Sequence, residues 1–335
     1  MDKRIILAVA GSGKTSYIID SLSKEKKALI ITYTNGNYIN LRKKILTKFN
    51  GIWPSDVTLM TYFSFLYHFC YKPYLSEKIH ARGIVYISNP NRYCKQNEMR
   101  YYLTNDRYFY SNRLALFLEK AKLINSIINR IQRFFDIFII DEIQDFGGRD
   151  FCFLEQIMEA NINMLFVGDF YQHTYDTSRD GATEKNLYVN ISEYQSRFIK
   201  KGFVIDTTTL IKSWRCGKNI CEYIRRNLGI AIESNKSEEV TDVFFVSDCQ
   251  EKEEIINNPS IVKLHYQSSH KYGPTHMNWG ETKGIDDYKD VCVMLNKSTA
   301  DMHKKNNLIS LPPLTKNKLY VAITRAHGNV FLVYE

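Results

Sequence analysis

The sequence predicts an α/β protein built from two doubly wound parallel-sheet lobes, and three observations carry that expectation. Short apolar runs rich in branched side chains recur along the chain, separated by stretches with helical patterning. One of these runs opens into a glycine-rich turn followed by a helix. Another ends in two adjacent carboxylates. Apolar runs of this kind suit strands buried on both faces, as in parallel sheets covered by helices.

The strand candidates of the first half are 5–8, 28–32, 57–60, 136–140 and 164–167. Those of the second half are 204–210, 243–246, 261–264, 291–295 and 330–333. Stretches between them, such as 113–133, read as helices. The expected boundary lies near residue 185. It gives a first lobe over 1–185, with a small insertion at about 71–112, and a second over 186–335.

Composition narrows the class. The 335 residues are 44% hydrophobic and 24% charged, an ordinary globular balance with enough chain for two cores. The 45 Lys and Arg against 36 Asp and Glu leave +9, which permits a polyanionic partner without requiring one. No run of 18 apolar residues occurs, so no membrane span is expected. The start has no signal-peptide cleavage pattern, and seven Cys without a Cys-x-x-Cys pair fit a reducing cytoplasm.

The first strand leads into Ala10-Gly11-Ser12-Gly13-Lys14-Thr15 and then a helical run. Strand, glycine-rich turn, Lys-Thr and helix is the context of a phosphate-binding loop. Small residues from Ala10 to Gly13 let backbone N–H groups converge on phosphates, and the helix N-terminus adds its positive end. Lys14 is expected to reach the outer phosphates, and the Thr15 hydroxyl to ligate Mg²⁺. Ala8 stands where the general pattern has its first glycine.

The run Phe-Asp-Ile-Phe-Ile-Ile at 135–140 precedes Asp141 and Glu142. Triphosphate hydrolysis needs such a pair: Asp141 to hold Mg²⁺ through water, Glu142 to polarise the attacking water. A nucleotide kinase needs no such base, so Glu142 favours hydrolysis over transfer.

From the phosphate loop onward, the order of motifs resembles the UvrD/Rep/PcrA group of superfamily 1 DNA helicases over nearly the whole chain. Ala8 to Thr15 is similar to the group's first motif, and Asp141-Glu142-Ile143-Gln144-Asp145 to its DExQD motif. Ile31 to Asn35 resembles a motif that contacts single-stranded DNA, which implies that role for Thr34 and Asn35. Thr58 to Ser64 is similar to the Thr-Phe-His-Ser motif, with Phe63 in place of His, and implies strand contacts at Thr61 and Tyr62. Leu165 to Tyr175 resembles the motif coupling the γ-phosphate to DNA. By that resemblance Gln172 senses the γ-phosphate while Tyr175 and Arg179 face the strand, the spacing to Arg179 being one residue longer than usual.

Leu210 to Arg215 resembles the motif that supplies an adenine-stacking aromatic and a γ-phosphate arginine, here Trp214 and Arg215. Thr282 to Asp286 is similar to the Lys-Gly-Leu-Glu motif, implying that Gly284 borders the nucleotide. Leu319 to Ala326 resembles the last motif and makes Arg325 the second arginine finger. The resemblance therefore implies two RecA-like lobes with a nucleotide cleft between them, ATP and Mg²⁺ as cofactors, and a single-stranded-DNA-stimulated ATPase translocating 3′ to 5′. Phosphoryl-transfer chemistry agrees, because a transition state with spread negative charge calls for Mg²⁺, Lys14 and at least one arginine.

The chain also departs from that group. The intervals 61–136 and 215–283 are about 70 residues each, room for a small subdomain rather than a large accessory one. No glutamine motif that reads adenine precedes the phosphate loop. Between Arg82 and Arg113, Arg92, Lys95, Arg100 and Arg107 interleave with Tyr86, Tyr93, Tyr101, Tyr102, Tyr108, Phe109 and Tyr110. That mixture reads either as a strand-binding groove or as a packed subdomain with half-core tyrosines. His265, His270 and His276 crowd one stretch without metal-ligand spacing, and the acidic run 237–254 reads as a solvated face or a docking surface. The alternative function is an ATP-gated regulatory subunit of a nuclease-containing complex, by analogy with small UvrD-like chains encoded beside nucleases in anti-phage systems. Action on RNA is a third reading.

Overall fold

The computed structural model describes every residue except 1, 24, 92, 176–182, 238–240 and 286–287. Arg92, Arg179 and Asp286 of the motifs above lie outside the described residues. In chain order the first strands are β1 (Lys3–Leu7), β2 (Ala28–Thr32), β3 (Val57–Thr61), β4 (Gly83–Val85), β5 (Tyr108–Tyr110), β6 (Ile137–Asp141), β7 (Asn163–Gly168) and β8 (Val204–Asp206). Six of them form one sheet in the order β3-β2-β6-β7-β1-β8, and β4 pairs with β5 in a separate parallel ladder.

The large sheet is parallel across β2–β3, β2–β6, β6–β7 and β1–β8. Between β7 and β1, Met164 N donates to Asp2 O and Ala8 N to Gly168 O, so those strands also rise together. All six strands therefore end at one edge. Every residue of β2 is buried, as is all of β7 but Asn163, which explains their continuous apolar sequence.

The remaining strands are β9 (Lys212–Ser213), β10 (Glu233–Ser234), β11 (Val243–Val246), β12 (Val262–His265), β13 (His276–Asn278), β14 (Val291–Leu295) and β15 (Val330–Tyr334). The last five form a second parallel sheet, ordered β11-β15-β14-β12-β13. Its core gathers Leu264, Val291, Val293, Leu332 and Trp279, whose indole N–H donates to Leu264 O at 2.9 Å.

Backbone contacts divide the chain into two compact units. One comprises Met1–Ile6, Thr15–Val167 and Asp176–Asp206; the other comprises Leu7–Lys14, Gly168–Tyr175 and Thr207–Glu335. Each of the ten anticipated strands is present, with differences in detail. The strand expected at 204–210 ends at Asp206 and closes the first sheet beside β1, where Arg4 pairs with the Asp206 carboxylate. The helix expected over 113–133 is two helices, Ser111–Lys120 and Ile124–Phe134, parted where Lys122 turns left-handed at φ 58°. Among the described residues, no helix is long and apolar enough to cross a membrane.

Candidate nucleotide and nucleic-acid site

The loop after β1 folds as its small residues require. Gly11 and Gly13 both have positive φ, 68° and 85°, a conformation that L side chains resist. Space reinforces this at Gly11, where a Cβ would lie 2.7 Å from Arg215 Cβ and 2.9 Å from Ser213 Oγ. Val9 N donates to Leu210 O at 3.0 Å and Trp214 N to Gly11 O at 2.9 Å, so the segment 210–215 lines the loop. Trp214 is 65% exposed, and its ring lies 3.9 Å from where a Cβ on Gly13 would sit. Lys14 is buried and starts the helix Lys14–Ser21, with Thr15 half-buried behind it. The Ser12 hydroxyl is buried without a hydrogen-bond partner. A loop of positive-φ glycines closing on an unsatisfied hydroxyl fits a phosphate ligand.

A buried relay links this loop to Gln172. Ala10 N donates to the Tyr320 hydroxyl at 2.9 Å, and that hydroxyl donates to Asp169 Oδ2 at 3.1 Å. The Gln172 amide donates to the same oxygen at 3.0 Å. Burial first, and then the Asp169 charge, push the Tyr320 phenol well above the usual tyrosine range, so it stays a donor. Neither Asp169 nor Tyr320 was singled out from the sequence. Both lie inside quoted motifs, as the acid two residues before Tyr171 and the tyrosine five before Arg325.

Both expected arginine fingers are buried. The Arg215 guanidinium donates to Thr324 O at 2.9 Å. Arg325, 1% exposed, donates to the carbonyls of Val321, Thr282 and Ile285, each at 3.2 Å. Ser213 Oγ accepts the N–H groups of Arg215 and Cys216 and fixes the entry into that segment. Gly284 is open, with φ 84° and nothing within 4 Å of a would-be Cβ. Tyr175 is half exposed.

The carboxylates stand at the end of β6. Asp141 is buried and in register with Thr32 of β2, whose own hydroxyl is buried without a partner, an environment that suits a cation and its waters. Glu142 turns left-handed, φ 57° and ψ 52°, an uncommon conformation for a residue with a side chain and one that clusters at functional sites. Its carboxylate accepts from the Gln144 amide, and Tyr188 anchors the following loop by donating to Phe146 O at 2.6 Å.

The expected strand-contact residues sit at the ends of β2 and β3. Thr34 caps the helix Asn35–Lys48 by accepting from Asn37 N at 3.2 Å, and Asn35 is exposed. Thr61 caps the short helix Tyr62–Ser64 in the same way. Tyr62 is in the core: its hydroxyl and that of Tyr33 donate to the two oxygens of buried Asp150, at 3.1 and 2.9 Å. The histidine-rich stretch places His265 Nε2 2.9 Å from His276 Nδ1, and the described residues hold no group of three metal-ligating side chains.

Among solved structures the chain is similar to the complex of arterivirus nonstructural protein 10 (helicase) with DNA, with a TM-score of 0.51 and 12% identity. The similarity covers 99% of this chain and 61% of that one. The fold is α/β with two RecA-like parallel-sheet lobes. This chain thus spans about three-fifths of that helicase's length. No protein-family profile matches it, and no curated protein does.

Proposed function

We propose that the chain is a single-stranded-DNA-stimulated ATPase of UvrD type, a motor that moves 3′ to 5′. The observation that carries this reading is the parallel sheet: the phosphate loop leaves β1 and the Asp141–Glu142 pair leaves β6 at the same edge, with β7 between them. A likeness of fold to a helicase solved with DNA supports the choice of nucleic acid as the stimulating partner.

The residue roles combine phosphoryl-transfer chemistry with what the resemblance to the UvrD group implies. The N–H groups around Gly11, Gly13 and Lys14 hold the phosphates, and the Lys14 ammonium offsets charge on the outer oxygens. Thr15 and Asp141 would hold Mg²⁺, which would offset negative charge on the phosphates when bound. Glu142 accepts a proton from the attacking water, and Gln172 orients toward the γ-phosphate. Arg215 and Arg325 stabilise charge that develops only in the transition state. Trp214, exposed beside Gly13, stacks on the nucleobase. Thr34, Asn35, Thr61 and Tyr175 contribute to the strand surface.

The test is ATP turnover with and without single-stranded DNA and RNA over a salt series. Turnover that ignores every strand would remove the motor reading, and turnover only with a partner protein would favour the regulatory alternative. Glu142→Gln should lower kcat by roughly 10²–10⁴-fold while leaving nucleotide binding intact. Lys14→Ala should abolish turnover, and Arg325→Ala should lower kcat more than nucleotide affinity. Normal turnover in Glu142→Gln would refute the base assignment.

A further inference from the structure

We infer that Tyr86 is a base-stacking platform for single-stranded DNA, carried on the insertion and seated on an aromatic ladder that runs into the core. The inference rests on the nucleic-acid reading above and adds to it a contact that no motif assigns. The ladder begins at Phe146, in the loop that follows Glu142, which packs edge-on against Tyr33 at 5.3 Å and Tyr62 at 5.0 Å. Tyr33 and Tyr62 stack at 5.6 Å and 16°, both fixed by Asp150. Phe63 contacts Tyr33 at 5.5 Å and then Tyr86 at 5.2 Å and 87°. There the ladder reaches the surface, with Tyr86 62% exposed.

Two readings of the insertion's aromatics were open, and burial separates them. Tyr102, Phe109 and Tyr110 are all buried, so they are subdomain core. Tyr86 is not. A T-shaped contact takes at most one face of its ring, so another face stays open to a base. Phe63, which props the ring, is two residues past Thr61, so the platform continues the strand surface assigned to Thr61. Charge lies nearby, at the other end of β4. Arg82 is exposed just before β4, its N–H bonded to Arg107 O, and Tyr86 follows just past the other end. The three residues of β4 lie between them, and four steps of extended chain set their Cα atoms about 13 Å apart. A ring for a base and a guanidinium for a phosphate is the pairing that single-strand binders use.

Fluorescence anisotropy on the full chain tests this, with a short oligothymidylate and an abasic oligomer of equal length as probes. Tyr86→Ala should weaken oligothymidylate binding roughly 5- to 150-fold and leave abasic binding unchanged. Tyr86→Trp should restore it, which a folding defect would not. If Tyr86→Ala lowers the melting temperature, Tyr86→Leu, which fills similar space without a π face, carries the same comparison. Arg82→Ala should weaken both probes and reduce the salt slope by about one. Wild-type binding that survives Tyr86→Ala, or an equal loss on both probes, overturns the platform and leaves the nucleic-acid reading standing. A wild-type chain that binds neither probe overturns both.

Discussion

Gly11 has no latitude. Its φ of 68° and the 2.7 Å approach to Arg215 Cβ both exclude a side chain, so Gly11→Ala should cost on the order of 1–3 kcal/mol in a urea melt and weaken ATP binding. Tyr320 is constrained in a different way, since its hydroxyl serves Ala10 N and Asp169 together. Tyr320→Phe keeps the ring but takes the acceptor from Ala10 N and one of several donors from Asp169, which predicts a loss of about 1–3 kcal/mol by denaturant titration. If the relay also positions Gln172, kcat should fall in that variant with nucleotide affinity nearly unchanged. A purely structural hydroxyl would leave the kcat of the folded fraction intact.

At the scale of elements, the proposed site residues stand at strand ends, and helix caps hold some of those ends in place. Thr34, expected to contact the strand, also caps the helix Asn35–Lys48 with its hydroxyl. Thr34→Ala should therefore cost about 0.5–2 kcal/mol in thermal or chemical melts, and Thr34→Ser should recover most of it. If Thr34→Ser melts like wild type yet binds strands more weakly, the threonine methyl makes a contact of its own. Apolar runs at 28–32 and 291–295 announced their strands because every residue is buried and Thr32, at the very end of the first, is the one hydroxyl in either. The three-residue strands β4, β5 and β13 are too short for a two-residue period to register in the sequence.

For the molecule as a whole, pH should act through histidines. Burial lowers the pKa of His68, His276 and His303 below 6.5, with the neighbouring His265 and Lys263 adding to the effect at His276. Below that value the unfolded chain binds more protons than the folded one, so stability is present above about pH 6.5 and is lost as pH falls through the folded values. Urea midpoints measured from about pH 7.5 down to 5 should decline, and His276→Gln should flatten the slope. A midpoint that rises on acidification would contradict the sign.

Local order was legible because it depends on near neighbours: the strands, the phosphate loop and its glycines, the Asp-Glu pair and the motif order can all be read along the chain. What the linear text cannot carry is which side chains meet across distance. Asp169 and Tyr320 are 151 residues apart, and only the packed fold makes them one relay. Tyr62 and Tyr86 look alike as letters, yet one is 1% exposed and the other 62%, because burial is set by the elements packed over a residue and not by its type. Sequence determined the chemistry available to this protein; tertiary structure decided which tyrosine faces inward and which faces solvent.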